Sequence, residues 1–141
     1  MPKFRIPLDV EAPREARAAL DALTRGCPSQ FRFAARLCVT ELVSNCVLHT
    51  GLVRGSELRL SVELDDDRLT VELRHPGNGF VPRLRDPGAD ARAGRGLLIV
   101  DAVADAWGAA PDEGQMWFEL ELASGAEAPP ARAPERARAH I

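Results

Sequence analysis

Hydrophobic and polar residues alternate cleanly in two successive stretches near the middle of the chain. Every second residue is apolar over residues 57–64, and the same pattern returns over residues 68–74. This alternation is typical of half-buried strands, because successive side chains of a strand point to opposite faces. The three aspartates between the stretches favour a turn. The pattern therefore predicts a β-hairpin with one buried face and one solvated face.

Two helices are predicted before this hairpin. The first covers residues 14–25, after Pro13, which is favoured in a first helical turn. The second covers residues 28 to about 49, where apolar residues recur at helical spacing. The candidate buried residues of the first helix are Ala18, Leu20 and Leu23. Those of the second helix are Ala35, Val39, Leu42, Val43 and Cys46.

The remaining elements lie towards the two ends of the chain. Strands are predicted over residues 4–10 and 116–122, and a helix over residues 97 to about 107. The apolar stripe expected on that helix is Ile99, Ala102, Val103 and Ala106. Residues 80–93 contain prolines, glycine and charges without periodicity, which indicates a long surface loop. The tail, residues 124–141, has no core-forming pattern and is predicted to be disordered.

The element order bounds the fold class. A strand, two helices, a hairpin, a helix and a strand favour an α+β fold, a two-layer sandwich in which helices cover one face of a mostly antiparallel sheet. A chain of 141 residues is the size of one ordinary domain. We therefore predict a single domain over residues 1–123, followed by the tail.

Composition and charge exclude several kinds of partner. The chain carries 18 basic and 21 acidic residues, a balance that does not favour direct nucleic-acid binding. No apolar run approaches the roughly 20 residues that cross a bilayer, and the N-terminus lacks a signal-peptide pattern. The three cysteines lack paired metal-ligand spacing, which favours buried thiols in a reducing compartment. These observations predict a cytoplasmic protein without a membrane partner.

Glu41, Asn45 and His49 are the first candidates for chemistry. Spaced four residues apart, they form a ladder on one side of the second predicted helix, beside its apolar face. An asparagine oxygen can ligate Mg²⁺, and a glutamate can accept a proton from a hydroxyl group or water. From this segment alone, a stripe of polar residues at the solvent edge is an equally open interpretation.

Two glycine-containing segments are candidate contacts for a nucleotide. Residues 75–80 (HPGNGF) follow a predicted strand, and residues 94–96 (GRG) precede a predicted helix. Glycine permits close approach to the backbone, and free N–H groups at a helix start favour a phosphate. A Rossmann fingerprint is excluded because no third glycine follows and a loop precedes residues 94–96. Each segment alone is also compatible with an ordinary turn or helix start.

Taken in order, three segments resemble the N, G1 and G2 boxes of the GHKL (Bergerat) ATPase superfamily, in particular those of bacterial anti-sigma-factor serine/threonine kinases. Residues 41–45 (ELVSN) match the N box, and residues 74–80 (RHPGNGF) stand where the G1 box is expected. Residues 94–108 resemble the G2 box and its helix. The resemblance covers roughly residues 4–122. It implies the Bergerat fold, with ATP and Mg²⁺ as cofactors.

The resemblance also implies a role for each matching position. Glu41 would be the general base, Asn45 the Mg²⁺ ligand and His49 a neighbour of the nucleotide. The base of the nucleotide would lie near His75, Gly77 and Gly79. The phosphates would lie near Gly94, Arg95, Gly96 and Leu97, with residues 81–93 as a lid.

The partners of such kinases are proteins. Their acceptor is a serine on an anti-sigma antagonist, and they also sequester a sigma factor. The resemblance therefore implies a sigma factor, an anti-anti-sigma (antagonist) protein, or both as partners of this chain. Related kinases often dimerise, so a homodimer is a further open alternative.

His75 is the main departure from the family pattern, which has an aspartate at the start of the G1 box. Neutral imidazole offers one acceptor nitrogen and protonated imidazole offers none, whereas a carboxylate accepts at any ordinary pH. Loss of a charge-assisted hydrogen bond costs about 1.5–3 kcal/mol. Two hypotheses follow: an active kinase that tolerates His75, or a non-catalytic protein-binding regulator with weakened or lost ATP binding.

Overall fold

The computed structural model describes residues 1–50, 56–75, 91–110 and 114–122, without the side chains of 48–50 and 91–96. Eight helices and strands lie within these ranges. In chain order they are β1 (Lys3–Pro7), α1 (Ala12–Leu23), α2 (Ser29–Thr50), β2 (Glu57–Leu64), β3 (Arg68–Arg74), α3 (Ala91–Val103), β4 (Ala106–Ala110) and β5 (Gln115–Glu121).

All neighbouring strands of the described sheet are antiparallel, in the order β1-β2-β3-β5-β4. The inner face carries the alternating apolar residues. Leu60 pairs with Leu73, and Val71 pairs with Phe118, so these side chains stand side by side in the core. α2 packs on β3 and β5, with α1 and α3 beside it. The predicted α+β fold with helices on one face is confirmed.

The hairpin prediction is also confirmed. Leu58, Leu60 and Val62 of β2 are at most 1% exposed, whereas Arg59 and Glu63 on the other face are exposed. In the turn, the Asp65 carboxylate accepts hydrogen bonds from the backbone N–H groups of residues 67 and 68, at 2.9 Å each. The aspartates therefore close a turn through local side-chain to backbone bonds.

The long helix α2 was predicted correctly, but the buried face of α1 only in part, because Leu20 is buried and Leu23 packs against the core whereas Ala18 does not. All five apolar residues predicted on α2 are buried. On α1 the buried residues are Ala12, Ala16 and Leu20, and Ala18 is exposed. A spacing of four keeps these three residues on one side of a helix. The prediction began the helix two residues late and counted an alanine that faces solvent.

The region of α3 and β4 corrects three further predictions. α3 begins at Ala91, so residues 91–93 are helical and do not belong to the predicted loop. It ends at Val103, before the predicted end at residue 107, and Trp107 lies in strand β4. The predicted stripe was wrong at Ala102, which is exposed. The fully buried residues of α3 with described side chains are Leu97 and Val100.

Strand β4 escaped prediction because its sequence, Ala-Trp-Gly-Ala-Ala, does not alternate. It forms through pairing with β5, where Trp107 stands opposite Phe118 in the core. The Trp107 indole N–H donates a 2.9 Å hydrogen bond to the Asp101 carboxylate on α3. On the outer face the Trp117 ring lies against Gly108, where an added Cβ would come within 2.9 Å of the ring. A glycine is needed there because the ring fills the space.

Other predictions lie outside the described residues. They concern the loop over residues 80–90, the tail over residues 124–141, and the domain boundary at residue 123. The first strand is shorter than predicted, ending at Pro7 instead of residue 10, where Val10 is 74% exposed. Among the described helices, none combines the length and apolar character needed to cross a bilayer.

Candidate functional site

The two sides of α2 face different helices. Arg36 of α2 forms an ion pair with Asp21 of α1, and the Arg17 guanidinium donates a 3.1 Å hydrogen bond to Thr40 Oγ1. These contacts define the side of α2 that faces α1. α3 packs against α2 as well.

Glu41 and Asn45 lie away from the α1 side. At about 100° of rotation per residue, they are turned from Thr40 by about 100° and 140°. The Cys38 thiol gives a second indication of what lies near this side of α2. Burial, then the carboxylates of Asp105 and Glu41, raise its pKa from 9.0 to about 12. Asp105 lies just after α3 in the chain. Asp105 and Glu41 both act on Cys38, so both carboxylates influence the same flank of α2.

Asn45 has an unusual environment for an amide. Its side chain is only 2% exposed, and neither its Oδ1 nor its Nδ2 atom has a hydrogen-bond partner among the described residues. A buried polar group without a partner costs about 1–3 kcal/mol, and such groups are rare in native proteins. An amide held in this way has donor and acceptor capacity available for a ligand.

The other predicted members of this ladder have different environments. Glu41 is partly buried and makes interactions of its own. His49 belongs to the last turn of α2, and its side chain lies outside the described residues. The sequence pattern therefore identified the ladder, whereas the burial that distinguishes Asn45 is visible only in the structure.

His75 directly follows β3 and is buried, with 9% exposure. Its backbone N–H donates a 2.9 Å hydrogen bond to the Gly114 carbonyl, which ties the end of β3 to the start of β5. Gly114 has φ 63°, a left-handed conformation that favours glycine. The buried position is compatible with an adenine contact, although the hydrogen-bonding chemistry of a histidine differs from that of an aspartate.

The glycine segments are only partly described. Gly77 and Gly79 lie outside the described residues. Residues 94–96 lie inside α3 and do not precede it, because the helix already begins at Ala91. Alanine is a strong helix former, and the sequence reasoning gave the glycines too much weight as a helix start. Leu97 is fully buried in the hydrophobic core. The nucleotide contacts of all these residues stay predictions.

The Oδ1 atom of Asn45 is suited to a nucleotide-bound Mg²⁺. No group of three or more His, Cys, Asp and Glu side chains among the described residues could hold a metal ion. Mg²⁺ seldom needs such a cage, since it is commonly held by one or two protein oxygens, substrate phosphates and water. The available Oδ1 atom of Asn45 is an oxygen of this kind.

The protein is a two-layer α+β domain whose central helix carries a buried amide without a hydrogen-bond partner among the described residues. The chain matches the histidine kinase-like ATPase domain over residues 6–118, and it belongs to this family. No curated protein matches the chain. Membership implies nucleotide binding, usually with Mg²⁺.

Proposed function

We propose that this protein is an ATP-dependent protein serine/threonine kinase of the anti-sigma type, acting in the cytoplasm. It regulates transcription by binding a sigma factor or by phosphorylating the antagonist of that factor. The observation that carries the proposal is the buried Asn45 amide, which has no hydrogen-bond partner among the described residues and lies one helical turn from Glu41. Family membership supports the ATP part, and the resemblance of the three boxes supports the anti-sigma part.

The roles of the two α2 residues follow from their chemistry. Bound ATP and Mg²⁺ supply a transferable phosphoryl group with part of its charge neutralised. Asn45 would hold the metal through Oδ1. Glu41 would accept the proton of a serine hydroxyl as the phosphoryl group moves to that oxygen and ADP leaves. His75 and the glycine segments position the nucleotide. A homodimer is compatible with this arrangement of the site residues.

A non-catalytic regulator is the second candidate function, and His75 favours it. Replacement of a carboxylate by imidazole at the adenine position removes an acceptor that is charged at ordinary pH. The protein would then bind its protein partner through the surface of the domain, with little or no dependence on nucleotide. The two candidates differ in one measurable property, the affinity for ATP.

Calorimetric titration of ATP with Mg²⁺ into the full chain tests both candidates. We expect wild type to bind, and Asn45→Ala to bind at least tenfold more weakly because the metal ligand is lost. His75→Asp should bind ten- to a hundredfold more tightly, the equivalent of about 1.5–3 kcal/mol. Ser44→Ala is the matched control, since Ser44 is a half-buried polar neighbour on α2 outside the ladder.

The outcomes separate the candidates. Binding that Asn45→Ala abolishes and Ser44→Ala preserves supports the nucleotide site. Binding by His75→Asp alone supports the non-catalytic regulator. If neither wild type nor His75→Asp binds, the nucleotide site and the kinase are contradicted, and the non-catalytic regulator is the candidate that remains. If wild type binds ATP, kinase activity is tested with Glu41→Gln. This variant should retain ATP binding and lose phosphoryl transfer to serine.

A further inference from the structure

Three arginines stand side by side on the outer face of the sheet, the face turned away from the helices. The strand register places Arg59 of β2 directly between Arg5 of β1 and Arg74 of β3. Lys3 lies on the same face, two residues before Arg5. We call Lys3, Arg5, Arg59 and Arg74 the basic patch. It brings together residues of β1 and of the β2–β3 hairpin, which are far apart in the sequence.

Few carboxylates neutralise this patch. Arg5 Nε is 3.8 Å from Glu57 Oε1, and the two side chains are 70% and 41% exposed. Within the described part of the chain, Lys3, Arg59 and Arg74 make no ion pair. Glu72 lies on the same face, where it accepts a hydrogen bond from the Gln115 amide. Among the described residues, four cations therefore share two carboxylates, and only one pair is within ion-pair distance.

The arrangement is unfavourable in the free protein. Like charges directly opposite each other on neighbouring strands destabilise a sheet. The patch lines a surface groove of about 530 Å³, together with Phe4, Ser61 and Glu72. A carboxylate entering this groove can bridge neighbouring arginines, and arginine binds carboxylates through paired N–H donors. Binding of an anionic group would relieve the repulsion.

The spacing of the arginines indicates which shape of anionic segment fits the patch. Directly opposite residues on antiparallel strands have Cα atoms about 4.5–5.5 Å apart, so Arg5 and Arg74 span about 10 Å. Residues i and i+7 of an α-helix are about 10.5 Å apart along its axis. Three carboxylates on alternate residues of an extended strand span about 13 Å. A helix with acidic residues at i, i+3 and i+7 therefore matches the row best.

Charges elsewhere on this face argue against long polyanions. Glu63 and Glu119 lie on the same face in the row beyond Glu72, and Glu121 lies further along β5. Asp65–Asp67 form the turn at that end. A nucleic-acid backbone or an anionic bilayer extending across the sheet would meet these carboxylates, whereas a short helix can lie on the patch alone.

We propose that the basic patch binds an acidic helix of a protein partner. The site lies on the face of the sheet opposite to α2, and the proposal does not depend on nucleotide binding. Carboxylates at i, i+3 and i+7 would contact Arg5, Arg59 and Arg74 in order.

Fluorescence anisotropy on the full chain tests the proposal. The probe is a labelled, stapled alanine-rich helical peptide with Glu at i, i+3 and i+7, and its control carries Gln at these positions. The Glu peptide should bind at least tenfold more tightly than the Gln peptide. Arg59→Gln and Arg74→Gln should each weaken binding of the Glu peptide at least tenfold. The matched control Arg68→Gln, an arginine near Glu119 on the same face, should change it less than twofold.

Several results would overturn the proposal. One is equal binding of the two peptides; another is an equal effect of Arg59→Gln and Arg68→Gln in variants with wild-type circular dichroism. Tighter binding to a single-stranded oligonucleotide, or to phosphatidylserine vesicles, would assign the patch to another class of ligand. Self-association that Arg59→Gln abolishes would assign it to a second copy of the chain. ATP titration is measured separately, so its failure leaves this result intact.

Discussion

Cys38 is a buried thiol on the flank of α2 that also carries Glu41. It is fully buried, and burial is the main reason why its pKa lies at about 12, with Asp105 and Glu41 adding to the shift. Thiolate is the reactive form of cysteine, so this side chain behaves as a small apolar residue of the core.

The raised pKa makes the stability of the protein sensitive to alkaline pH. The folded state keeps the Cys38 proton between pH 9 and pH 12, whereas the unfolded chain loses it. The stabilisation is complete below pH 9 and is lost as pH rises towards 12, with a slope of about 1.4 kcal/mol per pH unit. Urea unfolding of the reduced protein at pH 8, 9 and 10 should show this fall.

Two variants identify the thiol that is responsible. Cys38→Ala should be less stable at pH 8 because it leaves a cavity, but its stability should fall less steeply above pH 9. Cys27→Ala removes a half-buried thiol and keeps Cys38, so it should retain the wild-type slope. Equal slopes in wild type and Cys38→Ala would contradict the assignment. The chain has no tyrosine, whose phenol would otherwise titrate in the same range.

The site residues were predictable from sequence only in part. The four-residue spacing of Glu41 and Asn45 was enough to place them on one side of a helix, because helical periodicity is local. Nothing in the sequence distinguished an amide at the solvent edge from one that is 2% exposed. That difference depends on how α2 packs between α1, α3 and the sheet.

At the scale of secondary-structure elements, the pairing of β4 with β5 depends on Gly108. At Gly108 an added Cβ would lie 2.9–3.0 Å from three atoms of the Trp117 indole. Gly108→Ala should displace the ring and cost about 1–3 kcal/mol, as overpacking usually does. Denaturant unfolding measures the loss, and the tryptophan emission should shift to the red as the Trp117 ring becomes more exposed.

Gly26→Ala is the matched control for this prediction. A Cβ at Gly26 meets nothing within 4 Å, and its φ lies outside the left-handed region. The substitution should leave stability unchanged or raise it slightly, since alanine restricts the unfolded chain more than glycine. If both variants lose the same stability, the contact with Trp117 is not the cause.

Helix and strand boundaries show where local patterns stop being informative. The alternation in β5 was visible because three inner residues, Met116, Phe118 and Leu120, are large and apolar. β4 offers mainly small residues, and only its contact with β5 makes it a strand. The start of α3 was missed for a related reason, because Gly94 and Gly96 were given more weight than the alanines before them.

At the scale of the whole molecule, the proposed nucleotide site predicts ligand-linked stability. A ligand that binds only the folded state at 100 times its Kd stabilises it by about 2.7 kcal/mol. For a chain of this length, that corresponds to a rise in Tm of roughly 10 °C. Differential scanning calorimetry with ATP and Mg²⁺ should show the full rise in wild type and at most about half of it in Asn45→Ala, whose binding is at least tenfold weaker.

The critical comparison is between the rise in Tm of wild type and that of Asn45→Ala. An equal rise in Tm for wild type and Asn45→Ala would mean that ATP stabilises the fold from another place. Ser44→Ala should follow wild type, because Ser44 lies outside the ladder on the same helix. This measurement needs no acceptor protein, so it is independent of the identity of the partner.

The amino-acid pattern was enough to predict the fold class, the faces of β2, β3 and β5, the buried stripe of α2 and the order of the three boxes. These features rest on periodicity and spacing, which are local properties of a chain. Tertiary structure alone decided the existence of β4, the start of α3, the burial of Asn45 and the row formed by Arg5, Arg59 and Arg74. Each depends on which residues lie opposite one another after folding, and strand register and helix packing set that, not spacing along the chain.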